Sequence, residues 1–264
     1  MRSQEANSSL LNRVSELPWG RWYRQILAIL RLELKRNLFS TRAIPIYLLA
    51  VAPLLLFGAR VLVPLPARVV NDLGGSSVAY AIMYRSFFLR FAVFFGCVGI
   101  FMNLFRGELL EKSLHYYFLT PLRREVLVIG KYLSGLVIAA ILFGGSAVLS
   151  YLLLYAPLGV TSAREYLLMG PGLAHLGAYL GVTVLACLGY GSVFLAMGLF
   201  FRNPIIPAVV ILGWESINFL LPPMLKKISV IHYLESLCPV PIPQGSFTIL
   251  ADHVTQSGVV EMAY

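Results

Sequence analysis

Glu108, Glu111, Lys112 and His115 recur at spacings of three and four, which lets them share one face of a short helix. Ser113 lies between them, and Leu109, Leu114, Tyr117 and Phe118 add apolar and aromatic surface beside the charges. Two carboxylates near a histidine could hold a metal. Yet no Glu-x-x-His, no His-Glu-x-x-His and no second histidine accompanies them, so these charges read as docking or structural groups. Thr120-Pro121 ends the helix, because proline lacks an N–H donor and disfavours helix in the residue before it. Charged and aromatic residues side by side on one short helix suit insertion into a partner's groove.

A second candidate is Glu215, in Trp214-Glu215-Ser216-Ile217-Asn218, near the middle of an apolar run. A carboxylate there is costly and marks either a partner or a pathway. Arg90 and Arg60 also fall within apolar runs, at a depth from which a long side chain could reach it. A structural ion pair, a substrate contact and a solvated charge at the outer mouth all remain open for Glu215. No Gly-x-x-x-x-Gly-Lys-Ser/Thr occurs, so the chain carries no phosphate cradle of its own. Cys97 and Cys187 fall in apolar runs and Cys238 stands among prolines, in neither a disulfide framework nor a zinc spacing.

The elements that must position these groups are set by composition. Of 264 residues 58% are hydrophobic and 12% charged, and mean hydropathy is +0.78. Soluble domains carry about 25% charged residues, so lipid must be the solvent over much of this chain. Helices and closed barrels alone satisfy their backbones in lipid, and the long apolar runs select helices. Five runs are expected to span: Ile44–Val63, Phe87–Phe105, Tyr132–Ala156, Leu173–Phe201 and Ile205–Leu221. Gly177 and Gly181 make a small-x-x-x-small pattern in the fourth, with Gly191 and Gly198 beyond, which predicts close helix packing.

The formal charge of +9 belongs to the flanks of these runs and reads as topological bias rather than nucleic-acid binding. With alternating spans, the segment before span one, the loop Arg106–Lys131 and the turn at Arg202 share one side and hold fourteen lysines and arginines; the other side holds five. The amino terminus is therefore expected in the cytoplasm of a cell-membrane protein. The first residues lack the apolar core and small-residue site of a removable signal peptide. Trp19 to Phe39 reads as an amphipathic helix in the headgroup plane. Tyr23, Ile26, Leu27, Leu30, Leu34 and Leu38 form its apolar face, with Arg21, Arg24, Gln25, Arg31 and Lys35 opposite. The expected organisation is a cytoplasmic segment over 1–43, a membrane domain over 44–221, and a proline-rich outer segment over 222–264 leading to a sixth span.

Three stretches, in order, carry a resemblance. Glu108 to Lys131, with Leu119-Thr120-Pro121-Leu122-Arg123-Arg124 and Gly130-Lys131 entering an apolar run, resembles the permeases of the ABC-2 type transporter family. Gly198 to Pro204 is similar to that family's turn between spans four and five. Leu221-Pro222-Pro223-Met224-Leu225 through His232-Tyr233-Leu234 and Pro239 is similar to its outer segment. The resemblance implies an all-α polytopic helix bundle of six spans, paired with a second permease subunit, identical or not. It also implies separate cytoplasmic ATPase subunits that bind ATP and magnesium, with no cofactor on this chain. Glu108 to Tyr117 would be the coupling helix, and the function that of an exporter's membrane subunit. An ion-coupled secondary carrier using Glu215 and a non-transporting membrane scaffold are the rival readings.

Overall fold

The computed structural model describes residues 19–38, 43–62, 73–104, 123–156, 160–201, 205–216 and 229–240. Eight helices account for the regular structure among them. In chain order α1 is Trp19–Leu38 and α2 is Ile44–Leu62. Helix α3 runs without a break through Leu73–Met83, Tyr84–Val93 and Phe94–Phe101. Then follow α4 Arg124–Tyr155, α5 Val160–Leu168, α6 Gly172–Phe200, α7 Ile205–Ser216 and α8 Val230–Ser236.

Three helices have the length and composition to cross a membrane: Ser76–Phe101 within α3, α4 and α6, of 26, 32 and 29 residues. At about 1.5 Å per residue, each exceeds the roughly 30 Å of a hydrocarbon core. They suggest a membrane protein. Helices α2 and α7 are apolar but shorter.

Helix α3 starts at Leu73, well before the expected Phe87. The reason is the solvent. Gly74-Gly75-Ser76-Ser77 breaks helices in water, where the exposed backbone can bond elsewhere, but in an apolar bundle a broken backbone has no such outlet. Ser76 is fully buried. The middle of α3, Tyr84–Val93, is wound as a π-helix, so its backbone bonds run from i to i+5 and residues five apart stack along the axis. Helix α4 likewise starts at Arg124, which places Lys131 inside it rather than at the end of a solvated loop.

The packing of side chains sets the helix directions. The start of α3 meets the end of α4, since Tyr80 donates to the carbonyl of Ala147. Tyr84 meets the start of α6 through the carbonyl of Tyr179 and Thr183 Oγ1. At the opposite end, Gly198 of α6 lies against the backbone of Met102. Helices α3 and α6 therefore run parallel, with α4 antiparallel to both. Helix α2 runs beside α4, and Ser146 of α4 donates to the Ala50 carbonyl of α2. Helix α1 lies along the first half of α4, where Ile29 fits over Gly130.

The close crossings use Gly96, Gly135, Gly191 and Gly198. Gly177 and Gly181, the pair expected to pack, have no atom within 4 Å of a would-be Cβ among the described residues. Their face of α6 points outward.

The Gly96 crossing is the tightest of these. A Cβ there would sit 1.9 Å from Phe143 Cζ, on a fully buried ring. Gly96→Ala is expected to cost about 1–3 kcal/mol through overpacking and to lower the melting temperature in detergent. Gly145→Ala, where nothing lies within 4 Å, is expected to leave it unchanged or raised.

Candidate functional site

Glu108, Glu111, Lys112, Ser113, His115 and Tyr117 lie outside the described residues. What the structure does show is how both ends of their loop are held. Lys131 is completely buried. Its ammonium donates at 2.9 Å to Glu33 Oε1 of α1 and at 2.9 Å to the carbonyl of Leu104, the last described residue before the loop. At the loop's exit the Arg123 guanidinium lies 5.1 Å from the centre of the Trp22 ring of α1, a cation–π distance. Helix α1 thus holds the exit side of the gap 105–122 at two points, and Lys131 ties the entry side, at Leu104, to the same joint. Sequence reasoning missed this joint. Its signal was Glu33 itself, the one acidic residue in a 20-residue helix of basic and apolar ones.

Burying the pair takes both charges out of water, and the extra bond to the Leu104 carbonyl offsets part of that cost. The sign of a substitution follows. Lys131→Met takes away the cation bonded to the buried Glu33 carboxylate and is expected to cost about 3–5 kcal/mol, read as a fall in melting temperature. Adding Glu33→Leu is expected to restore most of the loss, because two apolar side chains can replace a buried ion pair.

A second polar group forms where α3, α6, α7 and α8 meet. Glu215 is buried. Its carboxylate accepts a hydrogen bond from the Tyr190 hydroxyl of α6, and the backbone amides of Val230 and Ile231, at the start of α8, also donate to it. Arg90 is near enough to act on Glu215 through space. Its direct bond, however, goes to Glu235 of α8, with Nη2 2.9 Å from Oε1. The expected Glu215–Arg90 pair is therefore a four-residue arrangement, Tyr190, Glu215, Arg90 and Glu235. The physical reason is proximity: α8 folds back into the bundle and brings a closer carboxylate. Arg60 belongs to α2, and its side chain is outside the described residues.

One π-helical turn before Arg90, Arg85 donates through Nη2 to the Val240 carbonyl at 2.8 Å. Both arginines therefore hold the segment 229–240. Ile231, Leu234, Cys238 and Val240 of that segment are buried, so it lies against the bundle rather than away from it.

At the end of the bundle away from Lys131, tyrosines join the long helices. Tyr80, Tyr84, Tyr151 and Tyr179 are all buried, with the Tyr80 ring 4.9 Å from Tyr179 and 5.1 Å from Tyr151. Tyr151 donates to the Gly172 carbonyl at 3.2 Å. The space among Pro53, Phe57, Tyr80, Tyr84 and Ser150 has no room for a water, which makes this a packed polar core. The open concavity lies elsewhere: a groove of about 540 Å³ between the end of α6 and α7, lined by Met197, Phe201, Ile206, Pro207, Val210 and Ile211. Its size fits a small molecule or an acyl chain, but none of these side chains is a polar group that could fix an orientation.

Among the described residues, no three of His, Cys, Asp and Glu come together as a metal site. Compared with known proteins, the chain matches no family model, no curated protein and no solved structure.

Proposed function

We propose that this chain is the membrane-spanning subunit of an ATP-driven exporter of the ABC-2 type, working with a second permease subunit and with cytoplasmic ATPase subunits. In this reading α2, α3, α4, α6 and α7 are five spans, and the amino terminus, α1 and the loop 105–122 face the cytoplasm. The ATPase binds ATP and magnesium and pushes on Glu108 to Tyr117. This chain supplies the path through the membrane, and lipid surrounds it.

The observation that carries the proposal is how the two ends of that loop are tied together. Lys131 joins α4 to Glu33 of α1 and to the end of α3, and Arg123 rests on Trp22. A partner pressing on a loop tethered at one end would only bend it. With the entry tied at Leu104 to Lys131, and the exit tied to α1 at Lys131 and Arg123, the same push bears on α1, α3 and α4 together. The order of motifs along the sequence supports the family, and a sequence without a phosphate cradle is in keeping with hydrolysis by a partner.

The secondary-carrier reading gives Glu215 a proton to carry. The carboxylate is instead engaged by a hydroxyl and two backbone amides, a setting in which it holds α8 in place.

Purification of the tagged chain from its native membranes is expected to bring down an ATPase with a phosphate-binding loop. Glu108→Lys together with Glu111→Lys is expected to lose that partner while the protein stays inserted, since like charges at a docking surface cost several kcal/mol. A cysteine at Ser113 should react only once the cytoplasmic face is opened. Retention of the ATPase by the double variant, or labelling from outside, would remove the coupling role. Ion-driven uptake by the chain alone in liposomes, stopped by Glu215→Gln, would establish the rival carrier instead. A chain that neither binds an ATPase nor transports would be a scaffold.

A further inference from the structure

We propose that the segment 229–240 is a releasable latch, seated between α3 and α6 and held there by Arg85, Arg90 and Glu215, with release opening the bundle on that side. Only the purpose of the opening rests on the transport reading; the seating and the release are properties of this chain by itself.

The segment is seated by apolar burial but fastened by polar contacts. Ile231 and Leu234 point inward and are 0% and 2% exposed, and Val230 lies against Gly189 of α6. Beside that burial there are three polar fastenings along its length. The first amides of α8 meet Glu215, itself gripped by Tyr190. Glu235 meets Arg90 in the middle, and the Val240 carbonyl meets Arg85 at the far end.

Charges placed in apolar helices for this purpose are an expensive way to achieve permanence, because well-packed apolar residues hold as firmly without the desolvation. What charged contacts add is directionality. They are lost over a small displacement and can be exchanged for water. The seated state also leaves bonds unmade: Arg85 Nε, Arg90 Nε and Ser229 Oγ are buried with no hydrogen-bond partner. Unmet donors lower the cost of leaving.

The π winding of α3 supplies the means of release. Arg85 and Arg90 stand five residues apart, which stacks them on one side while the bonds run from i to i+5. Rewinding Tyr84–Val93 as ordinary α-helix, at about 3.6 residues per turn, would turn the two guanidinium groups well away from each other. One helix cannot then hold both Glu235 and the Val240 carbonyl, so a local change in α3 lets go of the segment.

Cys238 reports the event, being buried in the seated segment and a free thiol. The test uses the full chain in lipid nanodiscs, with Cys97→Ala and Cys187→Ala leaving Cys238 as the one thiol, and follows its reaction with a water-soluble maleimide. Slow labelling is expected at rest. Arg85→Gln, Arg90→Gln and Glu235→Gln are each expected to speed it about tenfold or more, the loss of one hydrogen bond to a charged group. Exchanging the charges, Arg90→Glu with Glu235→Arg, is expected to slow it again.

A parallel chain that keeps Cys97 alone is expected to stay unreactive in every variant, because that thiol lies within the bundle. Equal Cys238 rates in the original and the three single variants would overturn the latch. So would exposure of Cys97 at the same rate as Cys238 in the Glu235→Gln chain, since the segment would then be a fixed part of the core. No nucleotide or partner enters the measurement. A failed ATPase pull-down therefore leaves the latch standing, and a failed latch leaves the exporter reading standing.

Discussion

Lys131 has no exposed surface and carries a charge, and the arrangement of α1, α3 and α4 follows from what that ammonium requires. In a low-dielectric interior it needs an anion and further acceptors. It takes them from Glu33 and from the carbonyl at Leu104. Those two requirements draw an amphipathic helix onto α4 and hold the end of α3 beside the start of α4. Gly130, next in sequence to Lys131, permits the close approach by leaving room for Ile29. The outward side of α1 keeps Arg24, Arg31 and Lys35 exposed, which suits a helix at a membrane surface with one flank docked on protein.

The same constraint shapes the rest of the bundle. At the far end the hydroxyls of Tyr80 and Tyr151 find the helix carbonyls of Ala147 and Gly172, those of Tyr155 and Tyr179 are buried without a partner among the described residues, and the rings fill the core. Between the two ends, the charges of α3 and α7 find acceptors and donors on α8 and the residues after it. The molecule is thus joined by polar contacts at three levels, each the response of a polar group to an apolar medium. The three differ in completeness. Lys131 and its partners make a closed joint, whereas the tyrosine level and the α8 level both retain buried polar atoms without a partner among the described residues.

Legibility from sequence varied with the range of the interaction. Runs of apolar residues located the long helices, because spanning length is a local property. Boundaries near α3 and α4 were displaced where local propensity and environment disagree. Gly74 to Ser77 lies before the apolar run expected to span and folds as helix, and Lys131 reads as loop and is buried. The pairing of Gly177 with Gly181 was inferred from spacing alone, and spacing does not say which face of a helix meets a neighbour. Arg90 and Glu215 stood out as charges in apolar runs, but their nearest partners were invisible because Glu235 lies in a segment with no apolar run of its own.

The sequence by itself determined the solvent of this protein and the class of its fold: too few charges for a water-covered globule, and runs too long for strands. It also marked Arg90 and Glu215 as charges that call for an answer, since an arginine or a glutamate in an apolar run is costly to leave unpaired. Only the tertiary structure decided who answers them. Glu33 reaches Lys131 across 98 positions of chain and Glu235 reaches Arg90 across 145. A contact between residues so far apart depends on where helices cross and on how α3 winds, and no local pattern of residue types encodes either.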